Sequence, residues 1–312
     1  MDTLADDAPA APALPWKVSW VPRVRRVVAA IDFSPSGRAL AKAAVALVEQ
    51  HWLAKLTLVH VVPPAPWLEG SAQERLGAGK KLMGDLLDTL DPESRPDARV
   101  VEGQPAPEIC RVADKLDADL IMLASHGRTG LHRALWGSIA EAVVHKAGCS
   151  VLVFKPMVPF GNQIGQVPAR TRRVAVAFDG SAGAKAALSA ALQFARHGAE
   201  QLTLIRAVEP SSIIVAPYSD PWEGNRQMEL AREELANAAK ALDPALDVKT
   251  NVQLGDAWRV ITEAVVQLNA DLLVMGVQKR WQLGGSLLGS TCERTVRHAV
   301  CPVLIVKPAA VH

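Results

Sequence analysis

Short unbroken apolar runs recur along the chain, and each is followed by a stretch with helical spacing. Arg26-Val-Val-Ala-Ala-Ile31 ends at Asp32, and Leu56-Thr-Leu-Val-His-Val-Val62 is stopped by Pro63-Pro64. Runs without polar alternation suit strands covered on both faces, as in a parallel sheet. Between them, within residues 37–52, Leu40, Ala44, Leu47 and Val48 fall on one face of a helix. The pattern goes on to predict a helix over 72–90, a strand over 99–102, a helix over 107–116, a strand over 120–124, a helix over 138–147 and a strand over 151–154. Strict alternation of strand and helix predicts an α/β fold built on an open, doubly wound parallel sheet.

The whole pattern then returns. Asp119 recurs as Asp271, Gly137-Ser138 as Gly289-Ser290, Cys149 as Cys301 and Lys155-Pro156 as Lys307-Pro308, a constant displacement of 152 residues. A fixed displacement over so many landmarks marks an internal duplication. Strands of the second copy are predicted over 174–178, 202–205, 248–252, 272–275 and 303–306, giving two tandem five-stranded sheets flanked by helices. His60 recurs as Arg206, 146 positions on, whereas Gly103 recurs as Gly255, 152 on, so the second copy holds six extra residues. The Pro/Ser-rich stretch 209–221 is the natural place for them. Residues 1–22 read as a flexible tail, 23–156 as the first domain, 157–171, with two Gly and two Pro, as a linker, and 172–310 as the second domain.

At 312 residues each copy is long enough to bury its own core without a metal or disulfide staple. A net charge of +2 argues against nucleic acid as a partner, which needs a concentrated basic face. The cluster Arg23, Arg25 and Arg26 is short and reads as a solvated strand flank. Four scattered cysteines form neither a CxxC motif nor a secreted framework, and Cys149 and Cys301 precede apolar strands as small packing thiols. The acidic N-terminus lacks the features of an export signal, and no apolar run reaches the roughly 18 residues of a membrane span. These features predict a reduced, cytoplasmic protein.

Ligands of an open parallel sheet sit beyond the carboxyl ends of its strands, where adjacent connections leave for opposite faces. In the first copy Asp32 follows strand one, Ala124-Ser-His-Gly127 follows strand four, and Gly137-Ser138 opens the last helix. Free N–H groups and a partial positive charge at a helix start suit phosphate oxygens, and glycine lets the backbone come close. Asp32 is placed to hold a ribose hydroxyl, a magnesium ion, or both. Ser138-Ile-Ala-Glu141 and Ser290-Thr-Cys-Glu293 also have capping-box spacing, so both Ser–Glu pairs have a purely structural reading as helix starts. Gly77-Ala-Gly79-Lys80-Lys81 lacks the first glycine and the Ser/Thr of a Walker motif and reads as helix. No GxGxxG, HExxH, CxxC or GxSxG occurs.

The strand end Ala-Ile-Asp32-Phe-Ser34, the Leu-Val-His60-Val61 strand, Gly103-Gln-Pro105 and the run Ser125-His-Gly127-Arg-Thr-Gly-Leu-His-Arg-Ala-Leu-Trp-Gly137-Ser138 together resemble the universal stress protein family in tandem form, over about residues 25–156 and 172–308. The resemblance implies a Rossmann-like fold of the adenine nucleotide alpha hydrolase type and an ATP-binding pattern of Gly, two residues, Gly, nine residues, Gly, then Ser or Thr. Carried across, Asp32 and Val61 border adenine and ribose, and Gly127, Gly137, Ser138 and the Ile139 amide hold the phosphates. Ala124 stands where the pattern has its first glycine; if that position needs positive φ, the side chain costs about 1 kcal/mol. The second copy offers Asp179, Gly276, Gly289 and Ser290, but Lys279 replaces the second glycine and Ala207 the valine. Lys279 either places its ammonium on a phosphate or fills the pocket.

His126 has no apparent partner for a catalytic triad and reads as a loop-ordering residue, and His60 as packing within a strand. Trp67 and Trp222, each after a proline, read as surface packing or as flaps. The implied function is ATP binding in stress signalling with little or no catalysis. A slow ATPase or adenylyl-transferring enzyme and a nucleotide-free oligomerisation scaffold are the alternatives. The resemblance also implies that strands 151–154 and 303–306 pair across the two copies, with pairing of whole chains and protein partners left open.

Overall fold

The computed structural model describes residues 24–49, 55–64, 71–91, 96–125, 137–155, 171–196, 198–209, 223–243, 245–277 and 288–307. The first copy runs β1 (Arg26–Ala30), α1 (Pro35–Glu49), β2 (Lys55–Val62), α2 (Ala72–Leu87), β3 (Asp97–Glu102), α3 (Pro105–Lys115), β4 (Leu120–Ala124), α4 (Ser138–Lys146) and β5 (Ser150–Phe154). The second repeats it as β6 (Arg173–Ala177), α5 (Ala182–Arg196), β7 (Gln201–Val208), α6 (Glu223–Lys240), β8 (Asp247–Leu254), α7 (Ala257–Gln267), β9 (Leu272–Gly276), α8 (Ser290–His298) and β10 (Val303–Val306). The predicted alternation is what forms. Helix α3 starts earlier than expected because Pro105 takes the first helical position, where its fixed φ favours the helix. The tail, most of the linker, most of the inserted stretch 209–221, Trp67 and Trp222 lie outside the described residues.

All neighbouring strands are parallel except β5 and β10, and the order is β3-β2-β1-β4-β5-β10-β9-β6-β7-β8. The two five-stranded sheets therefore run on as one ten-stranded sheet, joined where Val303, Leu304 and Ile305 pair antiparallel with Val153, Leu152 and Val151. Side chains of the inner strands are buried on both faces, as the unbroken runs require, while the edge strands β3 and β8 are more exposed. Helices α1, α2, α5 and α6 cover one face with Leu40, Met83, Leu188 and Leu235. Helices α3, α4, α7 and α8 cover the other with Ile109, Val143, Ile261 and Val296. Full burial of one such side chain is worth about 1.5–3 kcal/mol.

Several repeated landmarks prove to be fasteners. The Asp119 carboxylate accepts from the Arg25 and Arg26 amides at 2.8 Å each, and Asp271 accepts from Arg172 and Arg173 at 2.9 and 2.8 Å, tying the starts of β1 and β6 to those of β4 and β9. Lys155, just past β5, donates to the Ala299 carbonyl at 2.5 Å, and Lys307, just past β10, donates to Val144 and Ala147 at 2.6 and 2.7 Å. Each lysine thus caps the last helix of the other copy, where carbonyls lack intrahelical donors and the helix dipole favours a cation. Burial lowers the Lys155 pKa from 10.5 to about 8 and also lowers that of Lys307. The same burial pushes the Cys149 and Cys301 thiols up to about 12.

Gly77-Ala-Gly79-Lys80-Lys81 lies inside α2, as expected. Gly79 has a packing reason: a Cβ there would sit 3.0–3.3 Å from Val100, Val62 and His60, so its absence lets α2 lie close on β2 and β3. Ser71 and Glu74 form a capping box at the start of α2, with the Ser71 amide donating to Glu74 at 2.6 Å.

Candidate functional site

In each copy the strand order turns at one point. From β1 the chain leaves through α1 toward β2, and from β4 it leaves to the opposite face, where α4 packs. The crevice above the carboxyl ends of β1 and β4 is where such sheets hold ligands. Ala30 is in register with Leu123 and with Val59, which sets Asp32, Ala124 and Val61 around this point. Helix α4 brings Gly137, Ser138 and Ile139 to the same end of the sheet.

Asp32 is half-buried, and its position is set by a tight turn. Ser34 donates to Asp32 Oδ1 through its amide at 3.1 Å and its hydroxyl at 2.6 Å, while Ser34 Oγ accepts from the Gly37 amide at 3.1 Å and so caps α1. A Cβ on Gly37 would overlap Asp32 Oδ1, so glycine there makes room for the carboxylate. Phe33 between them is left-handed at φ 60°, and its ring packs on His60 at 4.4 Å. His60 Nδ1 lies 2.7 Å from the Ile31 carbonyl. His60 therefore braces the end of β1, in line with its expected structural role. Val61, next along β2, is buried.

Residues 125 and 137 meet at the end of β4: the Ser125 amide donates to the Phe154 carbonyl at 2.8 Å, and the Ser125 carbonyl accepts from the Gly137 amide at 2.9 Å. A Cβ at Gly137 would lie 2.8 Å from that carbonyl, closer than real contacts allow. Ser138 and Ile139 are exposed in the first turn of α4, where backbone N–H groups have no intrahelical acceptor. The expected capping boxes do not form here: the N-caps are Gly137 and Gly289, neither with a side-chain bond, and Ser138 and Ser290 sit one place inside the helix. The Ser-x-x-Glu spacing is real, but glycine takes the cap position and the serine is already the first helical residue. Gly127 and His126 lie outside the described residues.

The second copy arranges the same positions differently. Asp179 is exposed, and its Oδ1 accepts from the Ser181 amide at 3.0 Å. Gly180 takes the place of Phe33 at φ 74°, and a Cβ there would overlap the Glu234 carboxylate, which Arg206 approaches at 3.7 Å. Ala184 fills the position of Gly37, and Ala207 is half-buried in β7. At the end of β9, Gly276 meets the Gly183 backbone so closely that any Cβ on it would overlap the Gly183 carbonyl. Neither Gly276 nor Ala124 has positive φ, which corrects the conformational reason expected for that glycine: the requirement in the second copy is steric. Gly289 has open space around its missing Cβ. Lys279 lies outside the described residues.

The sequence signals for Asp32, Gly137 and the α4 start lead to one crevice. Gly37, Ser34 and Ser125 also shape it, and of these the Asp-x-Ser-x-x-Gly run before a helix carries a turn-and-cap signal in the sequence.

Comparison with known proteins gives the crevice a context. The universal stress protein family matches this chain twice, over residues 23–155 and 170–307. Universal stress protein Rv2005c of Mycobacterium tuberculosis is 25% identical over 266 residues, covering 81% of this chain and 87% of the relative. Universal stress protein MJ0531 of Methanocaldococcus jannaschii is 33% identical over 146 residues, covering 42% of this chain and 82% of its own. The crystal structure of a universal stress protein from Archaeoglobus fulgidus superimposes with a TM-score of 0.64 at 19% identity, covering 93% of this chain and 98% of that one, a likeness of fold. With two matches that together take in nearly all of both sheets, the chain belongs to the universal stress protein family.

Proposed function

We propose that the first copy is an adenine-nucleotide module that binds ATP in the β1/β4 crevice with little or no turnover, and that occupancy signals to protein partners. The observation that carries this reading is the convergence of Asp32 with the open first turn of α4. One carboxylate oxygen is held by Ser34, and the other is not engaged by that turn, which suits a ribose hydroxyl or a magnesium ion. The Ser138 and Ile139 amides offer donors and a favourable dipole to phosphate oxygens, and Gly137 keeps the approach narrow without a side chain. Val61 supplies an apolar edge for the base. Asp32, Val61, Ala124, Gly127, Gly137, Ser138 and Ile139 make up this site; Asp179, Ala207, Gly276, Lys279, Gly289 and Ser290 make up a weaker one in the second copy. Bound nucleotide supplies the charge and the group that partners sense. The chain's own part is to bind and orient it.

Low turnover is supported by the chemistry in reach: phosphoryl transfer wants several positioned charges of both signs, and what the described residues bring near this point are the carboxylates Asp32, after β1, and Glu141, in the first turn of α4. The domain division at 23–156 and 172–310, with a tail and a linker outside it, follows the same reading. Burial pushes the Cys149, Cys292 and Cys301 thiols up to about 12, so these three suit packing rather than thiolate chemistry. No described helix is long and apolar enough to cross a membrane.

The test is to denature freshly purified protein, identify released small molecules, and follow Mg-ATP binding by calorimetry. About one adenine nucleotide per chain is expected, with affinity lost in Asp32→Ala and kept in Asp179→Ala. Sustained ATP consumption abolished by Asp32→Ala would favour the enzyme. No released nucleotide and no heat at millimolar Mg-ATP would leave the scaffold reading, which the closed Gly276–Gly183 contact favours for the second copy.

A further inference from the structure

Away from the crevice, the seam between the copies brings together a second set of chemically capable side chains. Glu141 and His145 lie one turn apart on α4, and Glu293 lies on α8; a carboxylate oxygen of each glutamate and a ring nitrogen of His145 all fall within 4.8 Å of one another. All three residues are half-buried. Glu141 and Glu293 are the same position in the two copies, so the pseudo-twofold arrangement that pairs β5 with β10 also turns two carboxylates toward each other.

Two carboxylate oxygens and an imidazole nitrogen at this separation are three lone-pair donors within reach of one ion. His145 supplies the third corner. Its spacing from Glu141 places both side chains on one face of α4, the relation by which a single helix offers two ligands to one ion. In the second copy Arg297 stands where His145 stands in the first, so the duplication offers an imidazole from one side only.

We propose that Glu141, His145 and Glu293 form a divalent metal site of the zinc type that bridges the two copies, with at least one further position open to water. Two oxygens and one imidazole nitrogen are borderline donors. They suit Zn2+ and its neighbours Co2+ and Fe2+ better than Ca2+ or Mg2+, which take oxygen ligands, or Cu+, which takes sulfur. Zinc bonds of about 2.0–2.2 Å put tetrahedral ligands roughly 3.4 Å apart, so the three groups close by about an ångström on binding, within the reach of half-exposed side chains. Three protein ligands and an open position match exchangeable zinc sites rather than closed structural ones. The ion would tie α4 to α8 one turn below Ser138 and Ile139.

The test uses the full chain after chelator treatment. Titration with Co2+ is expected to give d–d absorption that saturates near one ion per chain and is displaced by Zn2+, and Zn2+ is expected to raise Tm. Glu293→Gln and His145→Ala should each weaken binding about tenfold or more, although they alter different copies. Arg297→His, which gives α8 the same Glu/His pair as α4, should tighten it. Melting without metal checks that Glu293→Gln leaves the fold intact, and the Arg297→His gain reads the site even if it does not. Cobalt or zinc binding unchanged in all three variants would mean an ion held elsewhere and overturn the proposal. So would the absence of any cobalt band or Zn2+ shift of Tm at millimolar metal. Because nucleotide is not needed for either readout, the outcome is independent of the ATP reading.

Discussion

The two copies share a backbone and differ where a ligand would touch it. Both place a left-handed residue after the aspartate that follows the first strand, Phe33 at φ 60° and Gly180 at φ 74°, and both cap the next helix with a serine. Yet in the first copy Gly37 leaves room for the Asp32 carboxylate and a ring closes over His60, whereas in the second Ala184 occupies that room, Asp179 turns to solvent and Glu234 leans on the turn with Arg206. At the neighbouring strand the tight place also moves. Gly137 is pressed against Ser125 in the first copy, while Gly276 is pressed against Gly183 in the second. Duplicated folds keep their framework through buried strands and backbone fasteners, and diverge by moving single Cβ atoms in and out of the crevice.

The sharpest break of this comparison is Gly276→Ala. Its Cβ would collide with backbone that cannot rotate away, so a loss of about 3 kcal/mol is expected, seen as a Tm lower by several degrees, against a change under about 1 kcal/mol for Ala124→Gly. Next comes the pair Gly137→Ala and Gly289→Ala. The first must shift a carbonyl by a few tenths of an ångström and is expected to cost about 1–2 kcal/mol and to weaken Mg-ATP binding. The second, extended and in open space, is expected to stay within about 0.5 kcal/mol in urea denaturation. Gly37→Ala should displace the Asp32 carboxylate and lower the Mg-ATP affinity of the first copy toward that of the second, with little change in Tm. Calorimetry reads that difference, and an unchanged affinity would mean the Gly37/Ala184 difference does not govern binding.

The smallest effect concerns pH. The folded pKa of Lys155 is lowered to about 8 by burial, against an ordinary value of 10.5. Below about 8 both folded and unfolded chains carry the proton, and the buried ammonium weighs against folding. Between about 8 and 10.5 the unfolded chain binds more protons, so this group's contribution to stability rises with pH. Urea midpoints at pH 7 and 10 are expected to show wild type gaining on Lys155→Met; parallel shifts would contradict the assignment.

The strands of each copy were legible because unbroken aliphatic runs suit a two-sided sheet, and the constant displacement of landmarks placed the second copy from the first; the order of the strands across the sheet is visible only in the structure. The joining of the sheets followed from family resemblance rather than from periodicity, which carries no information about which edges meet. At the site, Asp32, Gly137 and Ser138 announced themselves by position after strands and before a helix. What could not be read was any contact between segments far apart in the chain: Gly276 against Gly183, Glu234 over Gly180, or the Glu141/His145/Glu293 group, each of which needs the helices already packed. The capping boxes failed for a local reason, because Ser-x-x-Glu tells where a cap is chemically feasible but not which residue takes the cap position, here Gly137 and Gly289.

The exchanged lysines bear on how such a doubled protein can age. Since Lys155 closes α8 and Lys307 closes α4, neither half finishes its last helix with its own residues. A cut through the linker, with the halves separated, would leave both helix ends bare. Selection that retains either half would then retain the other as well, whatever becomes of the crevice in each, because each depends on the other's lysine to close its last helix.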